Sequence, residues 1–115
     1  MKKLISAVLI NTIIASSVAY AGVDAIKKKH IEAELECMAL NIYFETSASS
    51  LADAMAVSDV VLNRVNSTKF PDTVCEVVYQ GKKDSNGNMR RHKCQFSWYC
   101  DGKADTPKNS DAWDT

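Results

Sequence analysis

Glu45 stands where the apolar stripe of a helix should continue. Ile31, Leu35, Met38 and Ile42 recur at alternating steps of four and three, the spacing of one face of an amphipathic helix, and Glu45 is the next member of that series. Burial disfavours a charged carboxylate and raises its pKa, so a Glu on this face beside Tyr43 and Phe44 is suited to hold a proton near neutrality and deliver it as a general acid. The competing reading is a helix that frays before Glu45 and leaves the carboxylate solvated or capping the next segment. A second run with chemical potential is Gln95-Phe96-Ser97-Trp98-Tyr99, which interleaves aromatic and polar groups. Aromatic faces stack on pyranose rings while amides and hydroxyls meet ring hydroxyls, although a small core uses aromatics at the same density.

These groups need elements to position them. The periodicity predicts a first helix from Asp24 to about Phe44, broken by the small hydroxyl-rich stretch Thr46-Ser47-Ala48-Ser49-Ser50. Ser50, with Asp53 three residues on, predicts the capped start of a second helix running to about Asn66, with Leu51, Met55, Val61, Leu62 and Val65 on its buried face. Phe70-Pro71 ends that connection, and Asp72 or Thr73 caps a short third helix through Tyr79 with Val74, Val77 and Val78 inward. Gly81 to Lys93 is polar and contains Asn86-Gly87, a hairpin signal.

The amino terminus reads as a secretory leader: Met1-Lys2-Lys3, the apolar run Leu4 to Val18, then Ala19-Tyr20-Ala21. Asn11 and Thr12 interrupt the run, which falls short of the roughly 20 apolar residues a membrane span needs. Cleavage after Ala21 is expected, with no stable membrane anchor; an uncleaved signal anchor is the alternative. The remaining residues 22 to 115 suffice for one domain with a modest core. Four cysteines in an exported chain predict two disulfides. Three pairings are possible. Cys37 with Cys75 and Cys94 with Cys100 is favoured because the second pair closes a short loop around Gln95 to Tyr99. No C-x2-C spacing appears and the exported context favours oxidation, so neither zinc nor any other metal or cofactor is expected.

The chain carries 14 basic and 14 acidic residues. That balance gives no basic field and argues against a nucleic-acid surface. Lys27 to His30 and Lys82 to Lys93 are local basic runs that read as solvated segments, as do His30 and His92 individually.

The run Cys37-Met38-Ala39-Leu40-Asn41-Ile42-Tyr43-Phe44-Glu45, then Ala56-Val57 through Val60-Val61-Leu62-Asn63-Arg64-Val65, Phe70-Pro71, Thr73 to Gln80 and Cys94 to Gly102, resembles in order and spacing the cell wall hydrolase family that includes the catalytic domains of spore-cortex-lytic enzymes. The resemblance implies an α+β, mainly α, lysozyme-like domain with a short hairpin that cleaves the glycan strands of peptidoglycan, acting as a monomer by analogy. It implies Glu45 as the catalytic acid and brings Tyr43, Gln95, Phe96, Ser97 and Trp98 forward as substrate-binding residues. Asp53, Asp59 and Asp101 stand in no spacing that marks a partner carboxylate, which favours a lytic transglycosylase over a hydrolase. The chain departs from the family pattern twice. Ser47 and Ser49 replace an Arg and a second acidic residue, and the family's further helix and strand after the position of Trp113 imply a domain incomplete at its C-terminal end. A non-catalytic peptidoglycan-binding module is the alternative function.

Overall fold

A computed structural model describes residues 2–47 and 49–114, with side chains described from residue 20 onward apart from 110 and 112. It comprises two compact units, Met1–Glu32 and Ala33–Thr115. The first unit is the early part of helix α1, whose bounds are Lys2–Thr46. Its side chains from Tyr20 to Glu32 are exposed, and those of residues 1–19, on which the leader expectation rests, lie outside the described residues. Lys28 Nζ lies 3.9 Å from the Glu32 carboxylate one turn on, an exposed pair worth about 0.3–0.5 kcal/mol. Among the described residues no helix is long and apolar enough to cross a membrane.

The second unit is a small, mainly helical α+β domain. The end of α1 is followed by α2 (Leu51–Val65), α3 (Val74–Val78), the strands β1 (Gly81–Lys83) and β2 (Met89–Cys94), a 3-10 turn at Ser97–Cys100, and α4 (Ser110–Trp113). Each boundary has a local cause. Ser47 takes a left-handed φ of 51° and donates its N–H to the Tyr43 carbonyl at 2.8 Å, which stops α1 just past Glu45. The Ser50 hydroxyl accepts the Asp53 N–H at 3.1 Å and caps α2. The Thr73 hydroxyl does the same for α3, accepting the Glu76 N–H at 3.2 Å. In the hairpin, Asp84 Oδ1 accepts the N–H groups of Asn86 (2.9 Å) and Asn88 (3.0 Å), and Gly87 supplies the φ of 84° that the turn requires. The strands are antiparallel with a register shift between Gly81↔Cys94 and Lys83↔Met89, and His92 within β2 has a φ of 59°.

Val61, Val77, Val78, Phe96 and Trp98 form the core, with Met38, Leu40, Phe44, Val65 and Phe70 packed against it. Two disulfides brace it, Cys37–Cys75 between α1 and α3 and Cys94–Cys100 across the 3-10 turn, which is the favoured pairing. In a core this small each closed loop stabilises by about 2–4 kcal/mol.

Two helix faces differ from expectation. The side of α1 that packs runs through Glu34, Cys37, Asn41 and Phe44, about one residue position around from the apolar series, while Ile31 is 49% and Leu35 63% exposed. On α2, Val61 is buried, but Leu51, Met55 and Leu62, expected inward, are exposed. Specific partners select the α1 face: Cys37 is tied to Cys75, the Glu34 carboxylate accepts the Val74 N–H at 2.6 Å, and Asn41 meets Trp98. The Cys37–Cys75 tie and the packing of α3 on α2 fix which sides of the two helices close.

Candidate functional site

Glu45 is the penultimate residue of α1 and is exposed. Its carboxyl is nevertheless held above its ordinary 4.5, because neighbouring atoms withdraw it partly from water. The carbonyl end of the helix acts in the same direction, since its partial negative charge disfavours a carboxylate. Among the described residues no hydrogen bond or ion pair engages the Glu45 carboxylate, so its oxygens remain available. The acidic residue nearest to it along the chain, Asp53, is otherwise occupied. Asp53 Oδ2 accepts both the Ser49 and Ser50 hydroxyls at 2.7 Å, which pull its pKa below the ordinary 3.8. Ser49 therefore serves the α2 cap, and Ser47 supplies the left-handed stop of α1.

Beside the end of α1 lies an open groove of about 450 Å³. Tyr43, Phe44, Ser97 and Trp98 form one wall, and the segment from Asp101 to Lys108 forms the other. The aromatic wall is rigid: the Phe44 and Trp98 rings stack with centroids 4.7 Å apart at 18°, and Tyr43 meets Phe44 edge-on at 4.9 Å. The Tyr43 hydroxyl accepts the backbone N–H groups of Lys108 (3.1 Å) and Asn109 (3.0 Å), so it anchors the far wall. Asp101 Oδ1 accepts the Lys103 N–H at 2.8 Å and shapes the turn into that wall. Asp105 is held above its ordinary 3.8 by burial and then by the charge of Asp101.

The structure thus gathers Tyr43, Ser97 and Trp98 at one groove. Gln95 and Phe96 do not line it. Gln95 is exposed and its N–H pairs with the Gln80 carbonyl at 2.9 Å. Phe96 is 7% exposed and turns into the core, where the Arg64 guanidinium lies 5.2 Å from its ring and 5.3 Å from that of Phe70. Trp98 is itself 6% exposed, so it contributes an edge to the groove while most of its ring belongs to the core. Glu45 does not line the groove either. It leaves the helix two residues after Tyr43, about 200° around the axis, so the acid and the aromatic wall flank the same helix end from different sides.

Asn41 and the far-wall residues Asp105 and Lys108 were not legible as site residues in the sequence. Asn41 carried one usable signal: it lies four residues before Glu45 within an otherwise apolar stretch. His30 and His92 are exposed, and among the described residues no cluster of three or more His, Cys, Asp or Glu could hold a metal.

A family model described as Cell Wall Hydrolase matches residues 48–115, a segment that begins three residues after Glu45. No curated protein and no solved structure matches the chain.

Proposed function

This chain belongs to the cell wall hydrolase family and so to enzymes acting on peptidoglycan, and from that premise we propose that it is a glycosidase that cleaves the glycan strand by general acid catalysis from Glu45. The observation that carries the reading is the state of Glu45: a carboxyl at the open end of α1, raised above its ordinary 4.5 and unengaged among the described residues. The protonated acid donates to the oxygen bridging two amino sugars, and the ring carbon left behind gains oxocarbenium character. Transglycosylation is favoured over hydrolysis, since Asp53 is committed to the α2 cap and Asp101 to the turn at Lys103. The Glu45 carboxylate then takes a proton from the sugar's own hydroxyl and closes an anhydro ring. Tyr43, Ser97 and Trp98 are the proposed sugar contacts, met by a strand crossing the end of α1. A lysozyme-like domain, a leader at residues 1–21 removed on export, and monomeric action belong to the same proposal; the family and the two disulfides accord with an exported protein.

The separation of Glu45 from the groove favours one second reading, a wall-binding module that holds glycan at the aromatic wall without cleaving it. Clearing of a suspension of purified peptidoglycan by the oxidised chain, compared with Glu45→Gln, tests the two. Clearing lost in the variant supports the acid. Equal clearing by both overturns it, and pelleting with the wall without clearing by either supports the binding module.

A further inference from the structure

Asn41 is the one fully buried polar residue among those described, 0% exposed. Its two amide atoms are in different situations. Oδ1 accepts the Trp98 indole N–H at 2.9 Å, and because an indole offers only a donor, this contact fixes which way the amide points. Nδ2 is left with no acceptor among the described residues. The Trp98 indole accounts for the acceptor half of the amide, since a leucine would leave that buried N–H unpaired, but it does not account for the unpaired donor half. On a helix, side chains three and four residues apart are neighbours. For Asn41 these are Cys37, Met38, Phe44 and Glu45. Cys37 is in a disulfide, Met38 offers a weakly accepting thioether and Phe44 has no acceptor, so Glu45 alone in this set carries oxygen.

We propose that Asn41 is a positioning residue for Glu45, its Nδ2–H donating to the Glu45 carboxylate once the acid has given up its proton. This rests on the reading of Glu45 as the acid. The protonated form of the carboxyl needs no donor. As the proton leaves, charge builds on a group that its surroundings and the helix end both disfavour, and a fixed N–H one turn away offsets it. A contact that strengthens as charge develops lowers the barrier rather than merely tightening binding. Because Oδ1 is held by Trp98, the same amide links the acid to the turn that carries Ser97 and Trp98 to the groove.

The test uses the full oxidised chain. In a pH titration followed by NMR, the Asn41 side-chain amide signals should shift with the same midpoint as the Glu45 carboxyl, and the shift should vanish in Glu45→Gln. Compared with Trp98→Phe alone, Asn41→Leu added in that background, where no indole N–H is left unpaired, should raise the Glu45 midpoint by about one unit and lower kcat by about tenfold with KM little changed. Asn41 amide signals that ignore the Glu45 titration in the wild-type chain overturn the proposal, whether or not the double variant folds. If Glu45→Gln is inactive while those signals stay still, the acid stands and the positioning role falls. If Glu45→Gln remains active, both fall.

Discussion

From Ala33 onward, two faces of α1 meet opposite fates. One carries Cys37 with Glu34 and Asn41, the latter two of which a hydropathy count would assign to solvent, and it is the face that closes: each of the three has one dedicated partner, the Cys75 sulfur, the Val74 N–H and the Trp98 indole. The other carries Leu35, 63% exposed, and the open flank of α2 repeats the pattern with Leu51 at 77%, Met55 at 58% and Leu62 at 45%. In a domain this small, a few contacts of fixed geometry outweigh apolar area in deciding which side of a helix is buried. Asn41 and Glu45 are one turn apart, the first sealed in the core and the second exposed at the helix end, so a rigid interior stands directly behind the proposed acid.

Trp98→Ala should break the closed face most severely. It removes a buried ring from the core and leaves the Asn41 amide without its partner, for a loss of about 3–5 kcal/mol in urea unfolding. A loss below about 1 kcal/mol would mean that the Asn41–Trp98 contact does not organise this face. Paired Cys37→Ser and Cys75→Ser substitutions should cost about 2–4 kcal/mol, read by the same method. Ser50→Ala should cost about 1 kcal/mol by removing the α2 cap. This cap has a pH signature. The Ser50 and Ser49 hydroxyls hold Asp53 below its ordinary 3.8, so its contribution is complete above that value and fades as pH falls through the lowered one; Ser50→Ala should flatten that part of the stability profile. Leu62→Gln on the open flank should change stability by no more than about 0.5 kcal/mol. A large loss there would show that this flank is covered in solution and would erase the contrast between the faces.

Much of the fold was legible where the chemistry is local. Ser50 and Thr73 announce their helices because a cap is read from residues three apart, and Asn86-Gly87 announces the hairpin because its turn needs a positive φ. The disulfides followed from the even cysteine count together with the short loop that Cys94 and Cys100 enclose. What escaped the sequence depends on distant partners. The packed face of α1 was hidden because Glu34 and Asn41 find their partners only in Val74 and Trp98, 40 and 57 positions away. Alternation suggested a single wall from Gln95 to Trp98, whereas the 3-10 turn at Ser97–Cys100 sends Phe96 into the core and turns only Ser97 and an edge of Trp98 toward the groove. Tyr43 was read as a sugar contact, and its service as the anchor of Lys108 and Asn109 depends on chain about 65 residues further on. At the proposed acid, the apolar series led to Glu45, yet that series is not the face that packs and Glu45 itself is exposed one turn beyond Asn41.

The most direct test of the account is mass analysis of the fragments released from purified peptidoglycan across a pH series, by the oxidised chain and by Glu45→Gln. A general acid must be protonated, so release should fall as pH rises through the Glu45 value, and that limb should lie above Glu's ordinary 4.5. The account predicts anhydro-sugar ends from the wild-type chain and none from the variant. Fragments released equally by Glu45→Gln, or a rate indifferent to pH across that limb, would contradict it.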